Sequence, residues 1–122
     1  MKLVIQGRLP GLNEYISAER RHRQQAAALK RQAEQAVGWA IRTQLKGKRF
    51  ERPVVMRYRW VEPNRKRDKD NVAFAKKFIQ DALVQCGTLK NDGWKEIASF
   101  SDAFDVDAKH PRVEVEIEEV HR

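Results

Sequence analysis

Residues 54–71 read VVMRYRWVEPNRKRDKDN and divide into an alternating half and a charged half. In residues 54–61 a period of two predicts a half-buried strand, because successive side chains of a strand point to opposite faces. The inward positions would be Val54, Met56, Tyr58 and Trp60, with Arg57 and Arg59 on the other face. Residues 62–70 are polar and predict a loop. The stretch therefore places a charged loop directly after a core strand.

The rest of the chain supplies elements around this strand. Lys2–Gln6 predicts a short strand, and residues 113–118 predict a closing strand in which Val113, Val115 and Ile117 alternate with glutamates. Apolar residues spaced by three and four predict one long helix over 17–46 and a second over 71–84. Residues 97–104 are weakly strand-like. The order β-α-β-α-β-β predicts an α/β fold, a single small domain over residues 1–122 with two main helices packed on a mixed β-sheet.

Charge and composition narrow the class of protein. The 122 residues carry a net charge of +8, and residues 101–122 are acidic, so the basic excess lies in the first hundred residues. A basic body of this kind favours a polyanionic partner. We expect no membrane segment, no signal peptide and no nucleotide cofactor, because the corresponding sequence patterns are absent. The single cysteine, Cys86, fits a reducing cytoplasm.

Two aspartates interrupt the basic run of the loop. Asp68 and Asp70 stand among Arg65, Lys66, Arg67 and Lys69. A run that only held phosphate would be expected to avoid carboxylates. Mg²⁺ takes one or two carboxylates together with water and substrate phosphate. The pattern therefore indicates a metal-dependent nuclease.

A simpler interpretation of the aspartate pair stays open. Asp70 would cap the second helix, and Asp68 would be an ordinary surface charge, since aspartates are common at helix N-termini. The same helix end would also favour a bound phosphate. A calcium-binding EF-hand loop starting at Asp68 does not fit, because Val72 and Ile79 fall at ligand positions.

Three further sets of residues are candidates for the site. Asp92, in the turn after the second helix, would reach the aspartate pair if residues 85–95 fold back along that helix. Lys77 follows Asp70 by two helical turns and would stabilise charge on a reacting phosphate, or would simply pair with Asp81. Lys76 is the alternative lysine. Positive charges in the first half of the long helix would contact phosphate or form a solvated face, namely Arg20, Arg21 and Arg23.

Taken in order along the chain, several short motifs resemble the RusA family of Holliday-junction resolvases. They are the turn at residues 10–13, Arg67–Asn71, Asp81-Ala82-Leu83 and the turn at residues 91–94. The resemblance implies a homodimer that binds a four-way DNA junction and nicks two strands symmetrically with Mg²⁺, for which Mn²⁺ is a possible substitute. It also implies a role in DNA recombination and repair, and such enzymes are frequently encoded by phages.

The resemblance also assigns residues to roles. The family's aspartates match Asp68, Asp70 and Asp92, which would be catalytic metal ligands. Its essential lysine lies four residues before Asp81 and is Lys77, but the interval from Asn71 to Asp81 is longer here, so Lys76 stays open. The residues expected to hold DNA phosphates are Arg65, Lys66, Arg67, Lys69, Lys76, Arg20, Arg21 and Arg23. A non-catalytic DNA-binding regulator and a nuclease for flaps or forks are the rival hypotheses.

Overall fold

A four-stranded mixed sheet is the centre of the molecule, seen in a computed structural model that describes residues 1–121. The strands are β1 (Lys2–Gln6), β2 (Val54–Glu62), β3 (Ile97–Val106) and β4 (Arg112–Glu119), in the order β1-β4-β2-β3. β2 and β3 are parallel, and β4 pairs antiparallel with both β1 and β2. The helices are α1 (Leu12–Arg21), α2 (Arg23–Gln44), α3 (Lys69–Ala73) and α4 (Lys76–Gln85). The predicted α/β class is confirmed, although each predicted helix is divided in two.

The alternation in β2 is confirmed by burial. Val54, Met56, Tyr58 and Trp60 are buried, whereas Arg57 and Arg59 are exposed. The Tyr58 and Trp60 rings stack with 5.5 Å between centroids, and Gln80 of α4 donates a hydrogen bond to the Tyr58 hydroxyl at 3.1 Å. Burial raises the pKa of that hydroxyl, so it stays protonated. One face of the sheet therefore packs under α2 and α4 as an apolar layer.

The other face of the sheet is covered by ion pairs. The acidic side of β4 lies beside β2, where Arg57 pairs with Glu118 at 3.3 Å and Arg59 pairs with Glu114 at 3.4 Å. Arg59 also binds Asp105 of β3 at 2.7 Å. These exposed pairs contribute little to stability, but they occupy the arginines of this face. The excess of positive charge available to a polyanion therefore lies elsewhere.

The predicted long helix over 17–46 is wrong in two respects, because helix already begins at Leu12 and the chain bends at His22. This residue has extended backbone angles, φ −167° and ψ 134°, and separates α1 from α2. Its Nδ1 accepts a hydrogen bond from the Gln24 backbone at 3.1 Å, so His22 caps α2. The run of Arg and Gln around it contains neither glycine nor proline, and no sequence signal marks the break. Arg20 and Arg21 consequently end α1, where positive charge favours the helix dipole instead of opposing it.

The predicted helix over 71–84 is also two helices. α3 ends at Ala73, and hydrogen bonds spanning three residues link it to α4, including Ala75 N–H to Val72 O at 3.2 Å and Phe78 N–H to Ala75 O at 3.0 Å. Such bonds tighten a helix locally. Phe74, at this tightened turn, packs against Tyr15 of α1 and Phe78 of α4 with ring centroids 5.7 Å apart in both pairs. Tertiary packing of aromatic rings thus sets the boundary between α3 and α4.

The turn before α1 is locked against α3. The Asn71 side chain is buried, and its Oδ1 accepts a hydrogen bond from the Asn13 backbone N–H at 2.8 Å. A Cβ on Gly11 would lie 2.5 Å from that oxygen and 2.9 Å from the Asn71 carbonyl oxygen. Only glycine permits this approach, so Gly11 and Asn71 fix the start of α1 against the charged loop.

Among residues 1–121, no helix combines the length and the apolar character that a membrane-spanning helix needs.

We predict that Gly11→Ala destabilises the protein by roughly 1–3 kcal/mol, because the new methyl group overlaps backbone that cannot move aside. Urea denaturation of both proteins measures the difference. Gly38→Ala is the matched control. Its new Cβ would meet the flexible end of Arg42 at 3.2 Å inside α2, so this change should be neutral or stabilising by up to about 1 kcal/mol. Equal effects at the two glycines would contradict the lock.

Candidate functional site

A groove opens where the parallel strands β2 and β3 end. It is lined by the ends of these strands at Glu62 and Val106, and by Arg65, Asp68 and Asp70 of the loop and of α3. Ligands of α/β proteins commonly bind beyond the carboxyl ends of parallel strands. We call this the first groove.

Two neighbouring grooves continue it along α4 and β3. The second groove contains Asp70, Lys76, Lys77, Phe100 and Asp102, and the third contains Gln80, Asp92, Trp94 and Phe100. Asp70 belongs to the first and second grooves, and Gln80 and Phe100 belong to the second and third. The three grooves therefore form one continuous surface, which we call the trough. Asp68, Asp70, Lys77 and Asp92 all line it.

Neither aspartate side chain caps α3 by a hydrogen bond. Asp68, not Asp70, occupies the N-cap position of α3, and its side chain makes no capping hydrogen bond. Asp70 lies in the first turn, where its Oδ1 accepts a hydrogen bond from the adjacent Asn71 N–H at 2.9 Å. α3 has only five residues, so the predicted contribution of its dipole to phosphate binding is small. Both carboxylates are exposed in the first groove.

The side chains of Asp68 and Asp70 are suitable ligands for Mg²⁺. The donors are hard carboxylate oxygens, and they stand at an open groove, where a metal ion can retain water and accept a phosphate oxygen. Arg65 and Lys69 line the same groove and place positive charge beside the carboxylates. The residues therefore fit a magnesium ion shared between the protein and a phosphodiester.

Asp92 lines the third groove and lies beside Lys77 of α4. The Lys77 ammonium lies 3.0 Å from Asp81 and 3.7 Å from Asp92, so the segment after α4 does fold back along that helix. The hydrogen bond that Lys77 donates to Asp81 raises the pKa of Lys77, and the charge of Asp92 adds to the effect, so the lysine stays protonated. Within residues 1–121, no three His, Cys, Asp or Glu side chains converge to hold a metal ion. The three predicted carboxylate ligands are thus not assembled here, and their joint ligation stays a prediction.

Lys76 has a different environment from Lys77. Its ammonium lies 2.6 Å from Asp102 and 4.1 Å from the centre of the Phe100 ring, and its side chain is only 17% exposed. Asp102 also accepts a hydrogen bond from Trp60 Nε1 at 2.8 Å. Sequence reasoning did not single out Asp102. The signal that points to it is a core tryptophan whose N–H needs an acceptor on the neighbouring strand.

Arg67 has a structural role in the free protein. Its guanidinium donates two hydrogen bonds of 2.9 Å to Glu62, one of 3.1 Å to the Leu9 carbonyl and one of 3.0 Å to Glu14. Burial alone would raise the pKa of Glu62, but the hydrogen bonds and charge of Arg67, assisted by Arg8, lower it overall. The same pair raises the pKa of Arg67 despite its burial. Contact of Arg67 with DNA stays a prediction.

The remaining residues predicted to hold DNA are spread over two regions. Arg65 and Lys66 are exposed in the loop, and the Lys69 ammonium lies 5.7 Å from the centre of the Phe104 ring beside the first groove. Arg20, Arg21 and Arg23 are exposed around the bend at His22. Only the first set lines or adjoins the trough.

We predict that the Glu62–Arg67 pair makes stability depend on pH. Because the pKa of Glu62 is lowered on folding, its contribution is present above the usual glutamate value of 4.5 and is lost as the pH falls below it. Urea denaturation at several values from about pH 6 to about pH 3 gives the free energy of unfolding as a function of pH. This free energy should fall less with pH in Glu62→Gln than in wild type. Glu62→Gln should also be less stable at neutral pH. Glu118→Gln, which changes an exposed pair, should be nearly as stable as wild type at neutral pH. If the free energy of unfolding depends on pH in Glu62→Gln as it does in wild type, the Glu62–Arg67 pair is not the cause of the pH dependence.

Comparison with known proteins identifies the family. A search of curated proteins finds no match. The sequence model of the family described as endodeoxyribonuclease RusA matches residues 10–118, which cover both the turn at Gly11 and the whole trough. The family acts on DNA junctions as a hydrolase that cuts strands internally. The chain belongs to the RusA family of endodeoxyribonucleases.

Proposed function

We propose that this protein is a Mg²⁺-dependent endonuclease that resolves four-way DNA junctions by paired, symmetric nicks. The observation that carries the proposal is the family match over residues 10–118, whose motif aspartates Asp68 and Asp70 stand exposed at one end of a continuous trough. A role in recombination and repair follows from that substrate.

The chemistry follows from the residues of the trough. Asp68 and Asp70 would hold the ion, and Asp92 lies farther along the same surface. Mg²⁺, when bound, supplies positive charge at the phosphate and favours deprotonation of an attacking water. Asp70 belongs to both the first and the second groove, so it lies between the loop cations and Lys77. A phosphodiester lying across Asp70 would therefore meet positive charge on both sides.

We assign Lys77, and not Lys76, to the reacting phosphate. Lys77 is 57% exposed, and its raised pKa keeps it a cation throughout the neutral range, so its role is electrostatic rather than that of a base. Lys76 also lines the second groove, but its ammonium is held by Asp102 beside the Phe100 ring, and its side chain is only 17% exposed. The exposure of Lys77 and its proximity to Asp92 support this choice.

Phosphate binding outside the reacting centre falls to the exposed loop cations. Arg65 and Lys69 line the first groove and Lys66 is exposed in the same loop, whereas Arg57 and Arg59 on the face of the sheet away from the helices are already paired with acids. A homodimer would present two such sites to a four-way junction, which is itself nearly two-fold symmetric. Two sites related by one axis would explain paired nicks.

We expect Asp70→Asn to lower the rate of junction cleavage by about 100-fold or more, while the affinity for the junction is kept or increased. The substitution removes a metal ligand and also one negative charge that faces the DNA. The measurement is cleavage of a labelled immobile four-way junction, beside matched linear duplex and flap, with Mg²⁺ and with chelator. Glu51→Gln is the matched control, since it removes an exposed carboxylate outside the trough and should cleave as wild type does.

Each outcome of that assay has a defined meaning. Paired nicks confined to the junction, lost in chelator and in Asp70→Asn, would establish the proposed activity and site. Normal cleavage by Asp70→Asn would overturn the site. Cleavage of flap but not of junction would move the substrate to flaps. Binding without cutting in Mg²⁺ or Mn²⁺ would favour a non-catalytic DNA-binding protein.

The choice between the two lysines gives a separate prediction. Lys77→Gln should lower the cleavage rate by roughly 10²–10³-fold with little loss of thermal stability, because an exposed cation is removed from the transition state. Lys76→Gln should lower the melting temperature instead, since Asp102 would lose its partly buried partner, and should retain the cleavage rate of the folded protein. Rapid cleavage by Lys77→Gln together with loss in Lys76→Gln would reverse the assignment.

A further inference from the structure

Trp94 is fully exposed, with a relative accessibility of 100%. The other tryptophans differ from it, since Trp60 is 1% exposed in the core and Trp39 is 67% exposed on α2. A single exposed apolar ring is common on protein surfaces, but Trp94 shares a groove with Phe100, which is also exposed, and adjoining exposed apolar groups commonly mark a binding site. Indole rings are also used at such places because they offer a broad face at a small cost in conformational entropy.

The backbone on both sides of Trp94 is held in place. The Gly93 N–H donates a hydrogen bond to Glu96 Oε1 at 3.2 Å. The Ile97 N–H donates a hydrogen bond to the Gly93 carbonyl at 3.0 Å, so the turn that contains Trp94 is closed by hydrogen bonds between residues 93 and 97. The indole is therefore presented from an ordered turn at the start of β3.

The indole stands at one end of the trough. It shares the third groove with Asp92 and with Phe100, whose ring is 52% exposed. The Lys76 ammonium lies 4.1 Å from the centre of the Phe100 ring and so supports it. An aromatic surface thus adjoins Asp92, at the opposite end of the trough from Asp68.

The charges around this surface favour a polyanion over an apolar partner. Lys90 and Lys95 flank the turn, Lys77 lies beside Asp92, and all three are exposed. Aromatic side chains interleaved with lysines are the usual platform for unpaired nucleobases, because every base has a flat face and every nucleotide has a phosphate. A DNA strand whose phosphate lies at Asp70 and Lys77 would carry its adjoining bases toward the third groove.

We propose that Trp94, with Phe100 beside it, stacks on a base that has lost a stacking neighbour at the point where strands cross in a DNA junction. This inference rests on the proposed function and names the feature by which the site would distinguish a junction from intact duplex, in which the bases are already stacked. Stacking on a base face tolerates any sequence, so the contact would select structure and not sequence.

The test uses the protein's own fluorescence in chelator, where no cutting occurs. In Trp39→Phe, Trp94 is the exposed emitter and Trp60 is buried, so quenching on addition of a synthetic four-way junction should report Trp94. Trp94→Ala should bind that junction roughly 5- to 100-fold more weakly and bind linear duplex almost unchanged. A junction with abasic nucleotides at the crossover should show the same loss with wild type and little further loss with Trp94→Ala. Trp39→Ala is the matched control and should bind as wild type does.

Four outcomes would overturn the inference. The first is junction binding by Trp94→Ala with wild-type affinity. The second is an equal loss of duplex and junction binding in Trp94→Ala, which would indicate a general effect. Conversion of a dimer to a monomer by Trp94→Ala without DNA would place a second copy of the chain on the indole. If Trp94→Ala binds normally while wild type cuts junctions, the inference fails and the proposed function stands. A wild-type protein that neither binds nor cuts junctions overturns both.

Discussion

The Arg67 guanidinium connects the parts of the protein that carry the site. It joins the end of β2 at Glu62, the Leu9 carbonyl and Glu14 of α1, with its side chain only 13% exposed. A partly buried charge is costly unless it is paired and fully hydrogen-bonded, and the bidentate contact with Glu62 meets that requirement. The loop that carries Asp68 is therefore anchored one residue before the aspartate itself.

A second contact completes this anchoring on the other side of the motif. Asn71 follows Asp70 directly, and its side chain holds the Asn13 backbone where Gly11 allows close approach. Asp68 and Asp70 thus lie between two residues that are fixed by the turn at the start of α1. The aspartates remain exposed, but the backbone that presents them does not depend on a bound ligand for its position. Such rigid support is what a metal or phosphate site requires.

The trough has its shape because β3 is an edge strand with little covering. β3 pairs with β2 on one side only, and α3 and α4 run beside it and leave a channel whose walls are charged and whose far end is aromatic. The opposite face of the sheet is closed by pairs between arginines and acids. The net charge of +8 is consequently not spread evenly, and Arg65 and Lys69 line the same groove as the aspartates.

Much of the fold followed from local patterns in the sequence. The alternation in β2 and β4 and the spacing of apolar residues in the helices determine the strands, the α/β class and the residues of the core, because burial repeats with the geometry of each element. The ordered motifs around Asp68, Asp70 and Asp92 also determine the family. The helix boundaries did not follow, since the bend at His22 and the tightened turn at Phe74 carry no breaking residue. In the second case the packing of Phe74 on Tyr15 sets the boundary.

Only the tertiary structure decided the environments of individual charges. Arg65 and Arg67 are alike in the sequence, but one is exposed and the other is bound to Glu62. Lys76 and Lys77 are adjacent, yet a helix turns by about 100° per residue and directs them to different neighbours, Asp102 and Asp92. These partners lie 26 and 15 residues away along the chain. Sequence determined which residue types are present in the loop and in α4, and long-range pairing decided which of them remain available to a ligand.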